Sequence, residues 1–260
     1  MSSLVLEEDP VGYLHSVETG GTVDGPGIRY VAFLQGCPLR CLYCHNPDSW
    51  KLRAGRIIHA SELVSDAMQY RRFMRHGGVT FSGGEPLVQA GFVANVFARL
   101  HKLGVHTAVD TSGIIPVAQC REALDVTDLV ILDIKALDPE LCRKISGSDN
   151  RNALEMLSWL AENEKPVWIR HVVVPGYTDD LADIEALAQF LRQYKNVQRV
   201  ELLPFHQMAL HKWDNLEVPY TLRDVDPPPR AHMEAARAVM REHAVPSCTF
   251  ASSWSPKCRG

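Results

Sequence analysis

Short apolar runs rich in β-branched residues alternate with longer stretches of helical periodicity along most of the chain. This order is typical of repeated βα units, in which helices cover a sheet of parallel strands. The pattern predicts six strands, at 28–34, 79–81, 105–110, 128–134, 167–174 and 197–203. It predicts helices at 61–76, 88–103, 117–124, 138–163 in two pieces, 180–194 and 230–243.

The fold class that these elements indicate is α/β, and the most economical arrangement is a partial (β/α)6 TIM-like barrel. An open doubly wound sheet is the alternative, because strand order cannot be read from one sequence. No internal repeat divides the chain. We therefore expect a single domain over residues 1–260, with a core at about 20–250 and a tail of unknown role at 251–260.

Polar and glycine-rich residues follow the predicted strands directly. In a barrel of parallel strands the carboxyl ends open on one face, where enzymes of this architecture build their active sites. We therefore expect these residues to meet at one site. They are Cys37, the SGGEP sequence at 82–86, Asp110, Thr111, Asp133, Lys135, Pro175, Gly176 and His206.

Composition and charge narrow the range of partners. The chain has 46% hydrophobic residues, a formal net charge of −4 and a pI near 6.3, with acidic and basic residues mixed throughout. This balance argues against partners such as nucleic acid or an anionic membrane. No apolar run reaches the about 20 residues of a membrane helix, and the acidic first residues do not resemble a signal peptide. We expect a cytoplasmic monomer that acts on small molecules or other proteins.

Three of the seven cysteines, Cys37, Cys41 and Cys44, lie within eight positions. A structural zinc ion takes four protein ligands, but no second Cys-x-x-Cys pair accompanies these three cysteines. Three thiolates on a short loop instead suit a [4Fe-4S] cluster in which the protein holds three irons and leaves the fourth open. The alternatives are three unliganded thiols, or a zinc ion completed by a distant histidine.

The spacing Cys-x3-Cys-x-aromatic-Cys, with Tyr43 as the aromatic residue, resembles that of the radical S-adenosylmethionine (SAM) enzymes. Further motifs extend the resemblance, over nearly the whole chain, to the family of pyruvate formate-lyase-activating enzymes. They are TVDGPGIR at 22–29, GCPLRCLYCHN at 36–46, SGGEPL at 82–87, DTSG at 110–113, DIK at 133–135, WIRHVVVPGYTDD at 168–180 and ELLPFH at 201–206. The 37 residues between Cys44 and Ser82 contain no cysteine, whereas other activases of glycyl radical enzymes carry a cysteine-rich insert there.

The resemblance implies a barrel of the radical SAM type, a [4Fe-4S] cluster and bound SAM. In this family the amino and carboxylate groups of SAM bind the open iron, and one electron cleaves SAM to methionine and a 5′-deoxyadenosyl radical. The radical takes a hydrogen atom from a glycine-bearing loop of pyruvate formate-lyase, and a flavodoxin- or ferredoxin-type protein supplies the electron. The alternatives are a radical SAM enzyme acting on another glycyl radical enzyme or on a small molecule, and a metal-binding or electron-transfer protein without SAM chemistry.

The resemblance also implies roles for individual residues. Asp110, Thr111 and Asp133 resemble the ligands of a monovalent cation. Asp24 is expected to contact the partner protein, and Arg170, inside the fifth predicted strand, is expected to pair with an anion behind the ligand. No acid–base pair is expected, because hydrogen-atom abstraction needs none. The residues that resemble SAM contacts are Tyr43, Cys44, His45, Asn46, Gly83, Gly84, Glu85, Asp133, Ile134, Lys135 and His206.

Overall fold

A computed structural model describes residues 8–243, and the expectation for the tail at 251–260 lies outside these residues. One eight-stranded sheet forms the centre of the molecule. Its strands are β1 Val11–Gly21, β2 Arg29–Leu34, β3 Arg56–His59, β4 Gly78–Gly83, β5 His106–Thr111, β6 Leu129–Asp133, β7 Val167–Val173 and β8 Val197–Pro204. They lie side by side in the order β3-β1-β2-β4-β5-β6-β7-β8.

The strand order decides between the two arrangements that the sequence left open. β2 and β4 to β8 are parallel and follow one another in chain order, as in a barrel, without the reversal of direction that defines a doubly wound sheet. β3 and β8 are the two edges, so the sheet does not close on itself. The fold is therefore α/β with an open, mostly parallel sheet, consistent with the predicted partial barrel.

All six predicted strands are present, whereas β1 and β3 were not predicted. Both run antiparallel at the edge of the sheet beside β2. β1 is exposed along much of its second half, and β3 has only four residues, so neither gives a clear apolar period. Because β1 begins at Val11, the core starts earlier than the predicted residue 20.

The predicted helices are also present, and one further helix is added. The helices are α1 Ala60–Gln69, α2 Ala90–Lys102, α3 Val117–Asp125, α4 Pro139–Ser146, α5 Arg151–Glu162, α6 Leu181–Leu191, α7 Leu210–Asn215 and α8 Arg230–Glu242. α1 ends seven residues before the predicted residue 76, and the short α7 was not predicted. None of the described helices is long and apolar enough to cross a bilayer.

The two largest apolar clusters of the described residues lie in different parts of the fold. The larger cluster lies between the sheet and its helices, where full burial of each large side chain contributes about 1.5–3 kcal/mol. The smaller cluster includes Tyr43, Phe205, Trp213 and Tyr220. Tyr43 lies on the loop that carries Cys37, Cys41 and Cys44 (the cysteine loop), and the other three come from the end of β8 and the segment around α7. This second cluster packs beneath the cysteine loop and gives it a fixed support.

Candidate active site

A cavity of about 500 Å³ opens at the carboxyl ends of the parallel strands. Its volume falls within the about 300–1,000 Å³ that is typical of small-molecule sites. The cavity brings together residues at or just after the carboxyl ends of β2, β4, β5, β6 and β8, together with Arg170 and Val172 inside β7. The predicted site residues in its wall are Cys37, Cys41, Tyr43, Cys44, His45, Asn46, Gly83, Gly84, Asp110, Thr111, Asp133, Lys135, Arg170 and His206.

Three other predicted residues lie behind the cavity wall. Glu85 is fully buried, Ile134 is 1% exposed and Asp24 is 8% exposed. Asp24 lies 3.7 Å from Arg170, between Oδ1 and Nη1, and its side chain therefore faces the interior. The apolar side chain of Ile134 belongs to the larger core cluster, so this residue can meet a ligand only through its backbone.

Backbone hydrogen bonds hold the cysteine loop in place. Gly36 N donates to Ser49 O at 2.7 Å, which closes the loop on itself. Further along, Arg40 N donates to Ser146 O at 2.8 Å, which ties the loop to the last turn of α4. Because these bonds use main-chain atoms, they leave the cysteine side chains free to face the cavity.

The three cysteines of this loop are unpaired and partly buried. Burial, strengthened by the charge of Glu85, raises the pKa of Cys37 to about 12, and burial raises the pKa of Cys41 to about 12 despite the nearby Lys135. Burial also raises the pKa of Cys44. Such thiols become thiolates at neutral pH only when a metal centre displaces their protons.

The SGGEP loop lies directly against the start of the cysteine loop. Gly84 N donates to Leu34 O at 2.9 Å, and Glu85 N donates to Gly36 O at 2.8 Å. A Cβ on Gly83 would lie 2.4 Å from the Leu34 backbone, and one on Gly84 would lie 2.4 Å from Gly36 O. Gly83 also has a φ of +118°, which favours glycine. The two glycines are therefore needed for the contact between the two loops.

Glu85, which was predicted as a SAM contact, fixes the neighbouring loop after β5. Its carboxylate accepts four hydrogen bonds, from Leu87 N, Thr111 Oγ1, Ser112 N and Ser112 Oγ, between 2.5 and 3.0 Å. Burial nevertheless raises the pKa of Glu85. With both oxygens occupied, the side chain supports the loops and is not a free acceptor for a ligand amine.

Lys135 and Asp133 form a partly buried ion pair at the end of β6. Lys135 Nζ donates to Asp133 Oδ2 at 2.5 Å and lies 5.5 Å above the Tyr43 ring. Burial would lower the pKa of Lys135, but the groups around it, Asp133 first, together outweigh burial and raise the pKa well above its ordinary value. Lys135 therefore brings a permanent positive charge to the cavity, where it can bind a carboxylate.

Arg170 brings a second positive charge to the cavity and is surrounded by acids. Its Nε donates to Glu201 Oε2 at 2.9 Å and its Nη1 donates to Asp110 Oδ2 at 3.1 Å. Nη2 donates to Val23 O, in the segment between β1 and β2. Burial raises the pKa of Asp110 to about 6 although Arg170 opposes the shift. Glu201, which the sequence did not single out, completes this buried network.

Two histidines face each other at the rim of the cavity. The rings of His45 and His206 lie 4.1 Å apart between centroids, with an interplanar angle of 36°. Burial, followed by the proximity of His206, lowers the pKa of His45 to about 4, and burial lowers the pKa of His206. Both rings are therefore neutral at pH 7 and offer flat, uncharged surfaces suited to an aromatic base.

Lys212 and Trp213 in α7 are two functional candidates that the sequence did not reveal. Trp213 Nε1 donates to Cys44 O at 2.9 Å, and Lys212 Nζ donates to Asn46 Oδ1 at 2.9 Å. α7 has only six residues, too few for a helical period to show. The sole signal was a tryptophan beside a lysine shortly after the predicted His206 position.

The residues present fit an iron–sulfur cluster and a charged nucleoside ligand. Three free thiols face one cavity, and a cubane takes three such ligands on three different irons. The same wall contains Lys135 and the Tyr43 hydroxyl, which is buried without a hydrogen-bond partner among the described residues. A ligand with a carboxylate and several hydroxyls could satisfy these groups.

A family model and two relatives show which known proteins this chain resembles. The model of the radical SAM superfamily matches residues 31–191. The pyruvate formate-lyase-activating enzyme of Staphylococcus epidermidis is 45% identical over 250 residues, which cover 90% of this chain and 98% of that protein. The match to the Staphylococcus aureus enzyme of the same name is 44% identical over 239 residues, covering 86% and 93%.

A solved structure agrees with the fold, and the family determines the cofactors. A domain of pyruvate-formate lyase-activating enzyme from Bacteroides vulgatus superposes with a TM-score of 0.56 at 24% identity, covering 66% of this chain and 98% of that chain. The cofactors of the radical SAM family, a [4Fe-4S] cluster and SAM, are those that the thiols and the cavity fit. The chain therefore belongs to the radical SAM superfamily and, within it, to the family of pyruvate formate-lyase-activating enzymes.

Proposed function

We propose that this chain activates pyruvate formate-lyase by generating a radical on a glycine of that enzyme. The observation that carries the proposal is one cavity in which three free thiols face Lys135, the two histidines and the SGGEP loop. When bound, the cluster and SAM supply one-electron cleavage of SAM to methionine and a 5′-deoxyadenosyl radical, which takes the hydrogen atom from glycine. The protein's part is to hold, orient and shield the reacting groups.

Cys37, Cys41 and Cys44 would hold three irons of the cluster. His45, the next potential ligand on this loop, turns towards His206, so the loop would leave the fourth iron without a protein ligand. That iron would then be available to the amino and carboxylate groups of SAM. The raised pKa values of the thiols indicate that cluster binding releases protons, which makes it weaker in acid.

Charged and aromatic groups would orient SAM. Lys135 can pair with its carboxylate, and the neutral faces of His45 and His206 can pack on its adenine. Asn46 lies in the same wall and can reach a ribose hydroxyl. Gly83 and Gly84 place the SGGEP backbone in the cavity, so that their peptide groups, rather than the occupied Glu85 carboxylate, can meet the methionine end.

A monovalent cation at Asp110, Thr111 and Asp133 is a further part of the proposal. Asp110 and Asp133 interact electrostatically, and each is repelled by the other's charge. Arg170 and Ser82 occupy Asp110 Oδ2, which leaves Oδ1 as the oxygen to face a cation. A cation there would offset the repulsion between the two carboxylates.

The lyase would present its glycine to the cavity on a loop. The edge between β8 and the β1–β3 side of the sheet is unpaired, so the barrel has a lateral opening. Asp24 can contact such a loop only if the loop reaches the interior, because Asp24 is buried beside Arg170. We further propose that the chain works as a monomer in the cytoplasm, where free thiols persist, and that a flavodoxin- or ferredoxin-type protein reduces its cluster.

Anaerobic reconstitution tests this proposal directly. The protein is loaded with iron and sulfide, reduced and mixed with SAM and pyruvate formate-lyase, and 5′-deoxyadenosine is assayed beside the electron paramagnetic resonance spectrum. We expect the nucleoside together with a glycine-centred doublet that is lost when the target glycine of the lyase is replaced by alanine. Cys41→Ala should abolish both signals, whereas Cys120→Ala, a buried cysteine outside the loop, should retain them.

Two other outcomes would redirect or reject the proposal. Nucleoside without a doublet would show a radical SAM enzyme whose substrate is another glycyl radical enzyme or a small molecule. Absence of nucleoside from a protein with a fully loaded, reduced cluster would contradict the proposed chemistry. In that case the metal-binding or electron-transfer alternative would become the better account.

A further inference from the structure

α7 lies across the cysteine loop and binds two of its residues through two consecutive side chains. Trp213 Nε1 donates to the carbonyl oxygen of Cys44 at 2.9 Å. Lys212 Nζ donates to Asn46 Oδ1 at 2.9 Å. Trp213 is 5% exposed and packs edge-on against Trp50, with ring centroids 5.1 Å apart. The indole therefore fixes α7 against the loop, and the lysine extends from this fixed point.

The ammonium group of Lys212 has a second anchor, which holds it in place independently of Asn46. Lys212 Nζ donates to Asp48 Oδ1 at 3.2 Å, and His15 Nε2 lies 3.1 Å from Asp48 Oδ2. Burial would raise the pKa of Asp48, but the hydrogen bonds from Lys212 and His15 outweigh it and lower the pKa. Asp48 thus remains ionised near neutral pH and keeps the ammonium beside Asn46.

This contact determines which way the Asn46 amide faces. An ammonium group only donates hydrogen bonds, so the amide end beside Lys212 must be the oxygen. The amide nitrogen then faces away from Lys212, and no described residue accepts a hydrogen bond from it. Asn46 lies in the cavity wall, where two N–H donors suit the hydroxyl oxygens of a ribose. With the amide reversed, an oxygen would take the place of these two N–H donors.

We propose that Lys212 is a positioning residue for SAM, which it serves by fixing the Asn46 amide with its N–H groups towards the ribose. The inference rests on the proposed function, in which Asn46 contacts the nucleoside. Lys212 itself does not line the cavity and contacts no cysteine. Lys212 also acts electrostatically on His45, so the dependence of its effect on Asn46 has to be measured.

A double-mutant cycle on the reconstituted protein provides the test. The dissociation constant of SAM is measured by equilibrium dialysis for the wild type, Lys212→Met, Asn46→Ala and the double variant. Lys212→Met keeps the length of the side chain and removes its charge, and we expect SAM to bind about tenfold more weakly, the size of one charge-assisted hydrogen bond. In the Asn46→Ala background the same change should have no further effect.

Additional variants separate positioning from general stability. Lys212→Arg should restore much of the affinity, and Lys195→Met, which removes an exposed lysine away from the site, should leave it unchanged. Iron content and the cluster reduction potential should stay at the wild-type values in Lys212→Met. If Lys212→Met does not fold, Asp48→Asn removes the second anchor of the ammonium and enters the same cycle with Asn46→Ala.

The outcomes distinguish this inference from the proposed function. If the wild-type protein does not bind SAM, the proposed function fails first. If it binds SAM but Lys212→Met binds equally well, or if the losses in the double variant simply add, then Lys212 does not act through Asn46 and the inference is wrong. A shifted reduction potential in Lys212→Met would also contradict it, because the effect would then lie at the cluster.

Discussion

Two arginines are buried inside the sheet, and they are stabilised in opposite ways. Arg29 begins β2 at the amino end of the barrel and is fully buried. It donates to uncharged oxygens, namely the Thr80 hydroxyl and the carbonyl oxygens of Val79, at 2.7 Å, and Pro26, at 3.2 Å. Arg170, inside β7, faces the cavity and donates instead to carboxylates.

The two environments have opposite effects on the guanidinium groups. Burial lowers the pKa of Arg29 to about 10, although the charge of Asp24 opposes the shift. Burial also disfavours the charge of Arg170, but Asp110 and Glu201 outweigh it and raise the pKa of Arg170. The uncharged acceptors at the amino end thus satisfy the hydrogen bonds of Arg29 without balancing its charge. At the carboxyl end, by contrast, Arg170 belongs to a network of charges beside the ligand cavity. The difference separates a structural end of the barrel from a functional one.

Replacing Arg170 should produce the larger loss of stability. Arg170→Met would leave Asp110, Glu201 and Asp24 buried without their shared cation, and breaking such a group costs about 3–5 kcal/mol. Loss of the positive charge would raise the pKa of Asp110 further above its usual range. A carboxyl group whose pKa is raised in the folded state stabilises that state more at low pH than at high pH. This stabilisation is lost as the pH rises through the raised pKa. Urea unfolding should therefore show a greater loss at about pH 8 than at about pH 5.

The matched variant removes one of the unbalanced charges. Asp110→Asn in the Arg170→Met background should recover part of the stability, because one fewer carboxylate is left without a partner. The recovery should be greatest at high pH, where Asp110 would otherwise be ionised. An Arg170→Met loss that is the same at both pH values, and unaffected by Asp110→Asn, would show that packing rather than charge dominates at this position.

Replacing Arg29 should cost less and should depend less on pH. Arg29→Met would leave the Thr80 hydroxyl and the Val79 carbonyl without this donor, at a cost of about 2–3 kcal/mol. No carboxylate accepts a hydrogen bond from Arg29 among the described residues, so no large charge imbalance results. The unfolding free energies of Arg29→Met and wild type should differ by similar amounts at about pH 8 and pH 7. A strongly pH-dependent loss over this range would contradict the contrast with Arg170.

The same contrast explains what the sequence could show about the site. Residues at or just after strand ends, such as Cys37, Asp110 and His206, were predictable because the carboxyl ends of parallel strands lie on one face. Residues that act from behind, such as Glu201, were not, since an acid in a strand becomes informative only when its buried partner is known. Arg170 could be singled out because a charge inside an apolar strand already requires an anion.

The fold was predictable to the same extent and for a related reason. The βα units repeat a strong apolar period, so β2 and β4 to β8 were recognised from the sequence alone. β1 and α7 have no such period, because β1 is half exposed and α7 is shorter than two turns. α7 nevertheless provides Lys212 and Trp213, whose contacts with the cysteine loop arise only in the folded chain.

The smallest expected effect concerns His106, which lies beside Arg29. Its Nδ1 is 3.3 Å from Arg29 Nη2. Burial, followed by the charge of Arg29, lowers the pKa of His106 below its ordinary 6.5. The unfolded chain therefore takes up this proton first as the pH falls below about 6.5, and stability decreases in that range. His106→Gln should reduce this decrease in urea unfolding, whereas His76→Gln, at an exposed histidine, should not.

Arg29→Met provides the decisive comparison for His106. Without the neighbouring positive charge the pKa of His106 should rise towards its ordinary value, so the same acid-dependent loss should shrink in this variant even though its overall stability is lower. In the Arg29→Met background His106→Gln should then change the slope less than it does in the wild type. An equal change in both backgrounds would show that burial alone sets the pKa of His106, and that Arg29 contributes only hydrogen bonds at this end of the barrel.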